Sequence, residues 1–108
     1  MRIITRKRLE EFWLRHPATQ KELVLWYDMV AGAAWKTTAD VKEAFGHRVD
    51  FVKTRKNHTV TVFDVSNNRC RPISDIHYKQ NYPIRGRVYV LRVLTHKEYD
   101  SERWKDEL

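Results

Sequence analysis

Hydrophobic residues in the first half of the chain recur at the spacing of amphipathic helices. Leu9, Phe12 and Trp13 share one face of a segment that Thr5 can cap and that Pro17 ends. Charged residues occupy most of the other positions in this segment. The pattern therefore predicts a first amphipathic helix between Thr5 and Pro17.

Two more helices are predicted further along this half. The same period continues from about Ala18 to Ala31, and Gly32 follows it as a C-terminal signal. A shorter stretch begins at Thr38 and ends at Gly46. The large aromatic residues of this half predict packing between helices and a sheet, in preference to stacking on a cofactor or a base. They are Trp13, Trp26, Trp35 and Phe45.

The second half is rich in β-branched and aromatic residues, which favour strands. The predicted strands are Arg48 to Lys53, Thr59 to Val65, Arg71 to Lys79 and Arg87 to Leu94. Short polar segments between them indicate hairpins. The order of elements predicts one α+β domain over residues 1–108. Its N-terminal helices pack on one face of a mostly antiparallel twisted sheet, and a C-terminal helix follows the sheet.

Composition agrees with one folded domain. The chain has 108 residues, of which 42% are hydrophobic and 32% are charged. Its single cysteine, Cys70, cannot form an internal disulfide, and no apolar run approaches the roughly 20 residues of a membrane-spanning helix. The first residues lack the apolar region of a secretory signal. We therefore expect a cytoplasmic protein.

The charge balance indicates a polyanionic partner. The chain has 21 Lys and Arg against 14 Asp and Glu, a net charge of +7. Such a surface attracts nucleic acid, because neutralising phosphates releases counterions. An acidic protein or an anionic membrane remains an alternative partner. The positive residues lie within patterned segments and not in a tail, which favours a shaped site.

Candidate chemistry begins on the predicted strand from Arg71 to Lys79. Alternation places Arg71, Ile73, Asp75, His77 and Lys79 on one face, which is therefore strongly polar. A face of this kind is most often simply solvated. The alternative is a surface that binds a ligand.

The last predicted strand is apolar through its middle except for Arg92. Burying an unpaired guanidinium is costly, so this arginine needs a partner. Arg92 either pairs with a structural carboxylate such as Asp75 or is held in place to bind a phosphate.

A final helix is predicted to begin directly after this strand. Thr95 and Glu98 have the spacing of a capping box, so Thr95 should end the strand and open the helix. His96, Tyr99 and Arg103 would then share a face that emerges from the first turn. A helix N-terminus also favours anions.

These groups suit the cleavage of an RNA phosphodiester, which needs a base, an acid and cations beside the phosphate. His96 can serve in either proton-transfer role. Tyr99 would act as a base only if neighbouring arginines, Arg71 and Arg92, lower its pKa. The alternative is that these side chains only cap the helix and close the core. A non-catalytic RNA-binding module and a protein-docking domain therefore remain alternative functions.

Other chemistries lack support in the sequence. The five histidines are scattered, with no metal-ligand spacing, and the three glycines are isolated and form no phosphate-binding loop. The sequence therefore predicts neither a metal site nor a cofactor, and a nuclease of this kind would be metal-independent.

Several blocks of the chain, in order, carry a family resemblance. They include Arg6-Lys7-x-Leu9-x-x-Phe12-Trp13-x-x-His16-Pro17, Trp26-Tyr27, Trp35-Lys36-Thr37-x-Ala39-Asp40-Val41-Lys42-x-x-Phe45, Asn68-x-x-Arg71 and Arg92-Val93-Leu94-Thr95-His96-x-x-Tyr99-Asp100. Together they resemble the HigB toxins of bacterial type II toxin–antitoxin systems, a branch of the RelE superfamily of messenger-RNA interferases.

The resemblance implies a sheet flanked by helices and an endoribonuclease that cleaves messenger RNA, typically in the ribosomal A site, and so inhibits translation. It also implies neutralisation by a cognate HigA-like helix-turn-helix antitoxin. The toxin would reach operator DNA only as part of its complex with this antitoxin. On the matching positions, Arg71 and Arg92 would stabilise the phosphate, and His96 and Tyr99 would transfer protons.

The chain departs from the family pattern beside the first of these arginines. Cys70 and Pro72 stand where the family commonly has an aromatic residue and a leucine. Proline lacks a donor for the strand ladder, so Pro72 predicts an edge strand or a bulge.

A second basic group lies in the predicted turn at Lys53, Arg55 and Lys56. It could follow an RNA backbone, or it could be a solvated hairpin turn. Lys53 and Arg55, with His77 and Lys79 of the polar strand, form the predicted RNA-binding set.

Overall fold

The computed structural model describes residues 1–78 and 86–108. In these residues the strands are β1 (Arg2–Ile4), β2 (Val49–Lys53), β3 (Thr59–Phe63), β4 (Cys70–His77) and β5 (Arg87–Thr95). The helices are α1 (Arg6–Arg15), α2 (Gln20–Ala31), α3 (Thr38–Phe45), α4 (His96–Asp100) and α5 (Trp104–Glu107). The predicted α+β fold is confirmed.

The five strands form one sheet in the order β1-β5-β4-β3-β2. Its pairs are antiparallel except for β1, which runs parallel to β5 and pairs Arg2 with Arg87. The sequence did not predict β1. A bulge interrupts the β4–β5 pairing between Ile73 and Ser74, one residue beyond the buried Pro72. Pro72 thus lies in an interior strand beside a bulge.

Local signals set the ends of the three N-terminal helices. Thr5 precedes α1, although its side chain makes no capping hydrogen bond. Thr37 and Asp40 form a capping box at the start of α3. Gly46 ends α3 at a φ of 61°, a conformation that a side chain disfavours.

Helices α1, α2 and α3 cover one face of the sheet with the main core. The four aromatic residues predicted to pack there, Trp13, Trp26, Trp35 and Phe45, are all buried. Phe63 of β3 is at their centre, with ring contacts to three of them. The predicted packing between helices and sheet is therefore confirmed.

A second, smaller core covers the opposite face. Trp104 of α5 packs there with Ile73, Leu94 and two valines of β3. The prediction that the face carrying Ile73 is simply polar and solvated is therefore wrong, because Ile73 is completely buried. The pattern of β4 alone could not reveal this, since the cover comes from the far end of the chain.

The predicted final helix is interrupted. The capping box of Thr95 and Glu98 is present at the start of α4, as predicted. The helix ends at Asp100, and Glu102 has a φ of 60° before α5 begins. The prediction that Arg103 shares a helical face with His96 and Tyr99 is wrong, because Arg103 lies beyond the break.

None of the helices in residues 1–78 and 86–108 is both long and apolar enough to span a membrane.

Candidate functional site

Helix α4 begins where β5 ends, and its capping box fixes the side chains of its first turn. The backbone N–H of Glu98 donates to Thr95 Oγ1 at 3.1 Å, and the backbone N–H of Thr95 donates to Glu98 Oε1 at 2.9 Å. These two reciprocal hydrogen bonds therefore fix the backbone from which the side chains of His96, Lys97 and Tyr99 extend.

Arg71 and Tyr99, two of the four predicted site residues, are in contact. The guanidinium carbon of Arg71 lies 5.0 Å from the centre of the Tyr99 ring. One terminal nitrogen of Arg71 donates to Asn68 Oδ1 at 2.7 Å, and the other lies 3.9 Å from Asp64 Oδ2. The phenol ring also stacks on the indole of Trp104, with 5.3 Å between the ring centres. Arg71 is thus held by a carboxylate, an amide and a ring.

The pKa of Tyr99 is raised above its usual value of 10. Burial is the largest cause, and the charge of Asp50 adds to it. Arg71 and Lys105 act in the opposite direction but do not prevail. The condition under which Tyr99 would act as a base, a pKa lowered by Arg71 and Arg92, is therefore not met, because burial outweighs Arg71 and Arg92 is not among the causes. Tyr99 keeps its proton at neutral pH, so it can donate a hydrogen bond but is a poor base.

Arg92 lines an open cleft of about 630 Å³, which we call the arginine cleft. Its other basic residues are Arg15, Lys97 and Arg103. Arg92 itself lies 3.3 Å from Glu107 Oε2 and donates to the carbonyl oxygen of Leu91 at 2.9 Å.

Within residues 1–78 and 86–108, three of the four cations in this cleft have no ion pair. Among the described residues, Arg15, Lys97 and Arg103 form none, and all three are exposed. The carboxylate that pairs with Arg92, that of Glu107, is itself well exposed. Two glutamates, Glu98 and Glu107, also line the cleft, so its four basic residues leave an excess of positive charge that would attract an anion.

Asp75 is not the partner of Arg92 that one reading of the sequence suggested. Its Oδ2 atom lies 3.4 Å from His58 Nε2 and 3.2 Å from His77 Nε2. His77, a predicted RNA-binding residue, is exposed and packs edge-on against Tyr89. Two imidazoles thus share this carboxylate.

His96 lines a second open cleft of about 500 Å³, which we call the histidine cleft. His16, Arg69, Thr95 and Lys97 also line it. Nε2 of His96 lies 3.1 Å from Asp100 Oδ2, one helical turn away. The carboxylate can therefore hold a proton on Nε2, which leaves the lone pair on Nδ1.

The four predicted residues do not all line one cleft. Arg71 and Tyr99 face each other, Arg92 lines the arginine cleft, and His96 lines the histidine cleft. Lys97 lines both clefts, so the two are neighbours around α4. Sequence reasoning did not single out Arg15, His16 and Arg69 as site residues. They lie on other segments, and no local pattern links them to α4.

The basic turn between β2 and β3 contacts the C-terminal segment. The guanidinium of Arg55 pairs with the carboxylate of Asp106, and its backbone N–H donates to the carbonyl oxygen of Lys105 at 3.0 Å. Lys53 is exposed, and the described residues offer it no ion pair. Lys79, the remaining predicted RNA-binding residue, lies outside the described residues.

In the part of the chain that the structure describes, no group of three or more His, Cys, Asp or Glu side chains is arranged to hold a metal ion.

Comparisons with known proteins all show similarity to HigB toxins. Residues 19–102 match the family HigB_toxin, described as the RelE-like toxic component of a toxin-antitoxin system. The chain is also 28% identical to the mRNA interferase toxin HigB of Escherichia coli strain K12, over 93% of this chain and 88% of that protein. The mRNA interferase HigB of Shigella flexneri matches with the same identity and coverage.

Proposed function

Because the chain belongs to the HigB_toxin family of RelE-like toxins, we propose that it is an endoribonuclease that cleaves messenger RNA and thereby inhibits translation. The names of its relatives, which describe mRNA interferases, support this reading. The net charge of +7 and the two basic clefts beside α4 support an RNA substrate. We further propose that it acts on translating ribosomes and needs no metal ion for the chemical step.

The proposed reaction uses the 2′-hydroxyl of the substrate as the nucleophile. A base removes the hydroxyl proton, the 2′-oxygen bonds to phosphorus, and the bond to the 5′-oxygen breaks as an acid protonates the leaving group. Cations stabilise the negative charge that develops on the phosphate oxygens. Side chains can supply each of these roles.

His96 is the residue we propose for proton transfer in this reaction. Asp100 orients its ring, as a carboxylate orients a catalytic histidine in other enzymes. The histidine cleft is open to solvent, and Arg69 and Lys97 also line it. The pairing of His96 with Asp100 at the edge of a cationic cleft is the observation that carries the proposal.

The other predicted residues have roles consistent with their positions. Arg92 and the arginine cleft would bind a phosphate of the substrate strand next to the scissile one. Arg71 and Tyr99 would form the wall on the other side of α4, where the protonated phenol can donate a hydrogen bond to RNA. Lys53, Arg55 and His77 would contact the RNA backbone further away, and we propose a backbone contact for Lys79 from its sequence alone.

A toxin of this family acts with an antitoxin. We propose that this partner is a HigA-like helix-turn-helix protein that neutralises the toxin and carries it to operator DNA. Co-expression of such a protein from a neighbouring gene should restore growth and co-purify with the chain. An antitoxin that restores growth without binding the chain would contradict the proposal.

The chemistry of the cut ends tests the nuclease proposal. The purified chain is incubated with ribosomes translating a defined message, and the new ends are mapped and analysed. Attack by the 2′-hydroxyl leaves a 5′-hydroxyl and a 2′,3′-cyclic phosphate, whereas metal-activated water leaves a phosphate on one side and no cyclic product. We expect the first pair of ends. An intact message to which the chain remains bound would instead indicate a non-catalytic RNA-binding module.

A further inference from the structure

His16 is held rigidly at the C-terminal end of α1. Its backbone N–H donates to the carbonyl oxygen of Phe12 at 2.9 Å, and its own carbonyl oxygen accepts hydrogen bonds from the N–H and hydroxyl of Thr19. Its ring lies 4.5 Å from the ring of Phe12, which is fully buried in the main core. The imidazole therefore has a fixed position, although nothing in the sequence around it suggests chemistry.

The nitrogen atoms of the His16 ring have no partner in the part of the chain that the structure describes. It lines the histidine cleft together with His96, yet among the described residues neither of its ring nitrogens has a hydrogen-bond partner. Nε2 of His96, by contrast, is engaged with Asp100. One cleft thus contains an oriented imidazole and a second imidazole whose nitrogens are available to a ligand.

We infer that His16 is the second proton-transfer residue of the nuclease and acts as the general acid opposite His96; this inference rests on the proposed function. Nδ1 of His96 takes the proton of the 2′-hydroxyl as the 2′-oxygen bonds to phosphorus. The bond from phosphorus to the 5′-oxygen breaks, and the imidazolium of His16 gives its proton to that oxygen. The charged groups that face the two imidazoles in this cleft are Arg69 and Lys97, which stabilise the phosphate.

The competing explanation of His16 is structural. A positively charged histidine at a helix C-terminus stabilises the helix through its dipole, and the contact with Phe12 adds packing. Substitution would then lower stability and leave the rate of cleavage by the folded protein unchanged. The two explanations differ in measurable ways.

The first test compares His16→Gln with His47→Gln. His47 is an exposed histidine of the turn Gly46–Arg48 and lines neither cleft. Single-turnover cleavage of ribosome-bound message should fall by roughly 10² to 10⁴ in His16→Gln and remain unchanged in His47→Gln. Ribosome binding should be unchanged in both variants. His16→Asn replaces His16→Gln if the latter does not fold.

The second test identifies the role of His16. A message in which sulfur replaces the scissile 5′-oxygen has a leaving group that needs no proton. Cleavage of this message by His16→Gln should return to within about tenfold of the parent, whereas His96→Gln should stay slow.

The outcomes distinguish a failure of the proposed nuclease function from a failure of the role assigned to His16. A parent chain that leaves the message intact would overturn the proposed function itself. A parent that cleaves, with a His16→Gln variant that cleaves at the parent rate, would overturn only the role of His16. Slow cleavage by folded His16→Gln that the sulfur leaving group does not restore would exclude His16 as the acid.

Discussion

The guanidinium of Arg71 lies over the Tyr99 ring, and the same ring stacks on the indole of Trp104. The three side chains connect β4, α4 and α5, and the indole N–H of Trp104 donates to the carbonyl oxygen of Tyr99 at 3.0 Å. The ring of Tyr99 therefore contributes to packing, and its hydroxyl can donate a hydrogen bond to a ligand. Substitution can separate these two contributions.

We expect Tyr99→Ala to lower the free energy of unfolding by about 2 kcal/mol, because it removes a half-buried ring from the stack on Trp104. Tyr99→Phe keeps the ring and should cost less than about 1 kcal/mol. Urea unfolding measures both values. If the phenol donates a hydrogen bond to the substrate, Tyr99→Phe should cleave about tenfold more slowly than the parent. Equal destabilisation by both substitutions would contradict the importance of the stack.

The raised pKa of Tyr99 also predicts a loss of stability in alkali. Burial disfavours the phenolate in the folded state, so the folded pKa lies above the unfolded value of 10. The stabilisation is fully present below pH 10 and is lost as the pH rises through the folded pKa, because the unfolded chain releases its proton first. Stability of the parent should therefore fall more steeply above pH 10 than stability of Tyr99→Phe. Parallel curves would contradict the assigned shift.

Cys70 should be inert in the folded protein. Its side chain is fully buried, and burial, with the charges of Asp64 and Glu22, raises its pKa to about 12. Since the thiolate is the reactive form, an alkylating reagent at pH 8 should modify Cys70 only after denaturant is added. Mass spectrometry gives the modified fraction. Rapid modification without denaturant would show that the end of β4 opens readily.

The arginine cleft predicts a specific salt dependence. Arg15→Ala removes one of its unpaired cations, so the slope of log affinity for single-stranded RNA against log salt should fall by about 0.7. The matched control is Arg8→Ala, which removes an exposed arginine of the same helix that lines neither cleft. The two variants should have similar stability. A smaller slope in Arg8→Ala than in Arg15→Ala would place the RNA elsewhere.

Local patterns predicted most of the fold. The three N-terminal helices follow from the spacing of apolar residues, and α4 follows from the capping box of Thr95 and Glu98. Strand β1 was missed because its three residues form a strand only through pairing with β5 at the other end of the chain. The second core was missed because Ile73 is covered by Trp104, which alternation within β4 cannot indicate.

The candidate site was predicted only in part, for a similar reason. A short motif placed His96 and Tyr99 on one helix, but their side chains lie on different sides of it. His96 shares a cleft with the segment that follows α1 and with Arg69 in the turn before β4, whereas Tyr99 contacts Arg71 and Trp104. The spacing of two residues along a helix gives the angle between their side chains about the helix axis. It does not reveal which residues of other segments surround each side chain. This is why His16 and Arg69 were not recognised from the sequence.

The central claim is that His96, oriented by Asp100, transfers a proton during the cleavage of messenger RNA. Its most direct test is the single-turnover rate of cleavage of ribosome-bound message by the parent, His96→Gln, Asp100→Asn and the control His47→Gln. We predict a loss of about 10² to 10⁴ for His96→Gln, a smaller loss for Asp100→Asn and the parent rate for His47→Gln. Cleavage by folded His96→Gln at the parent rate would contradict the account.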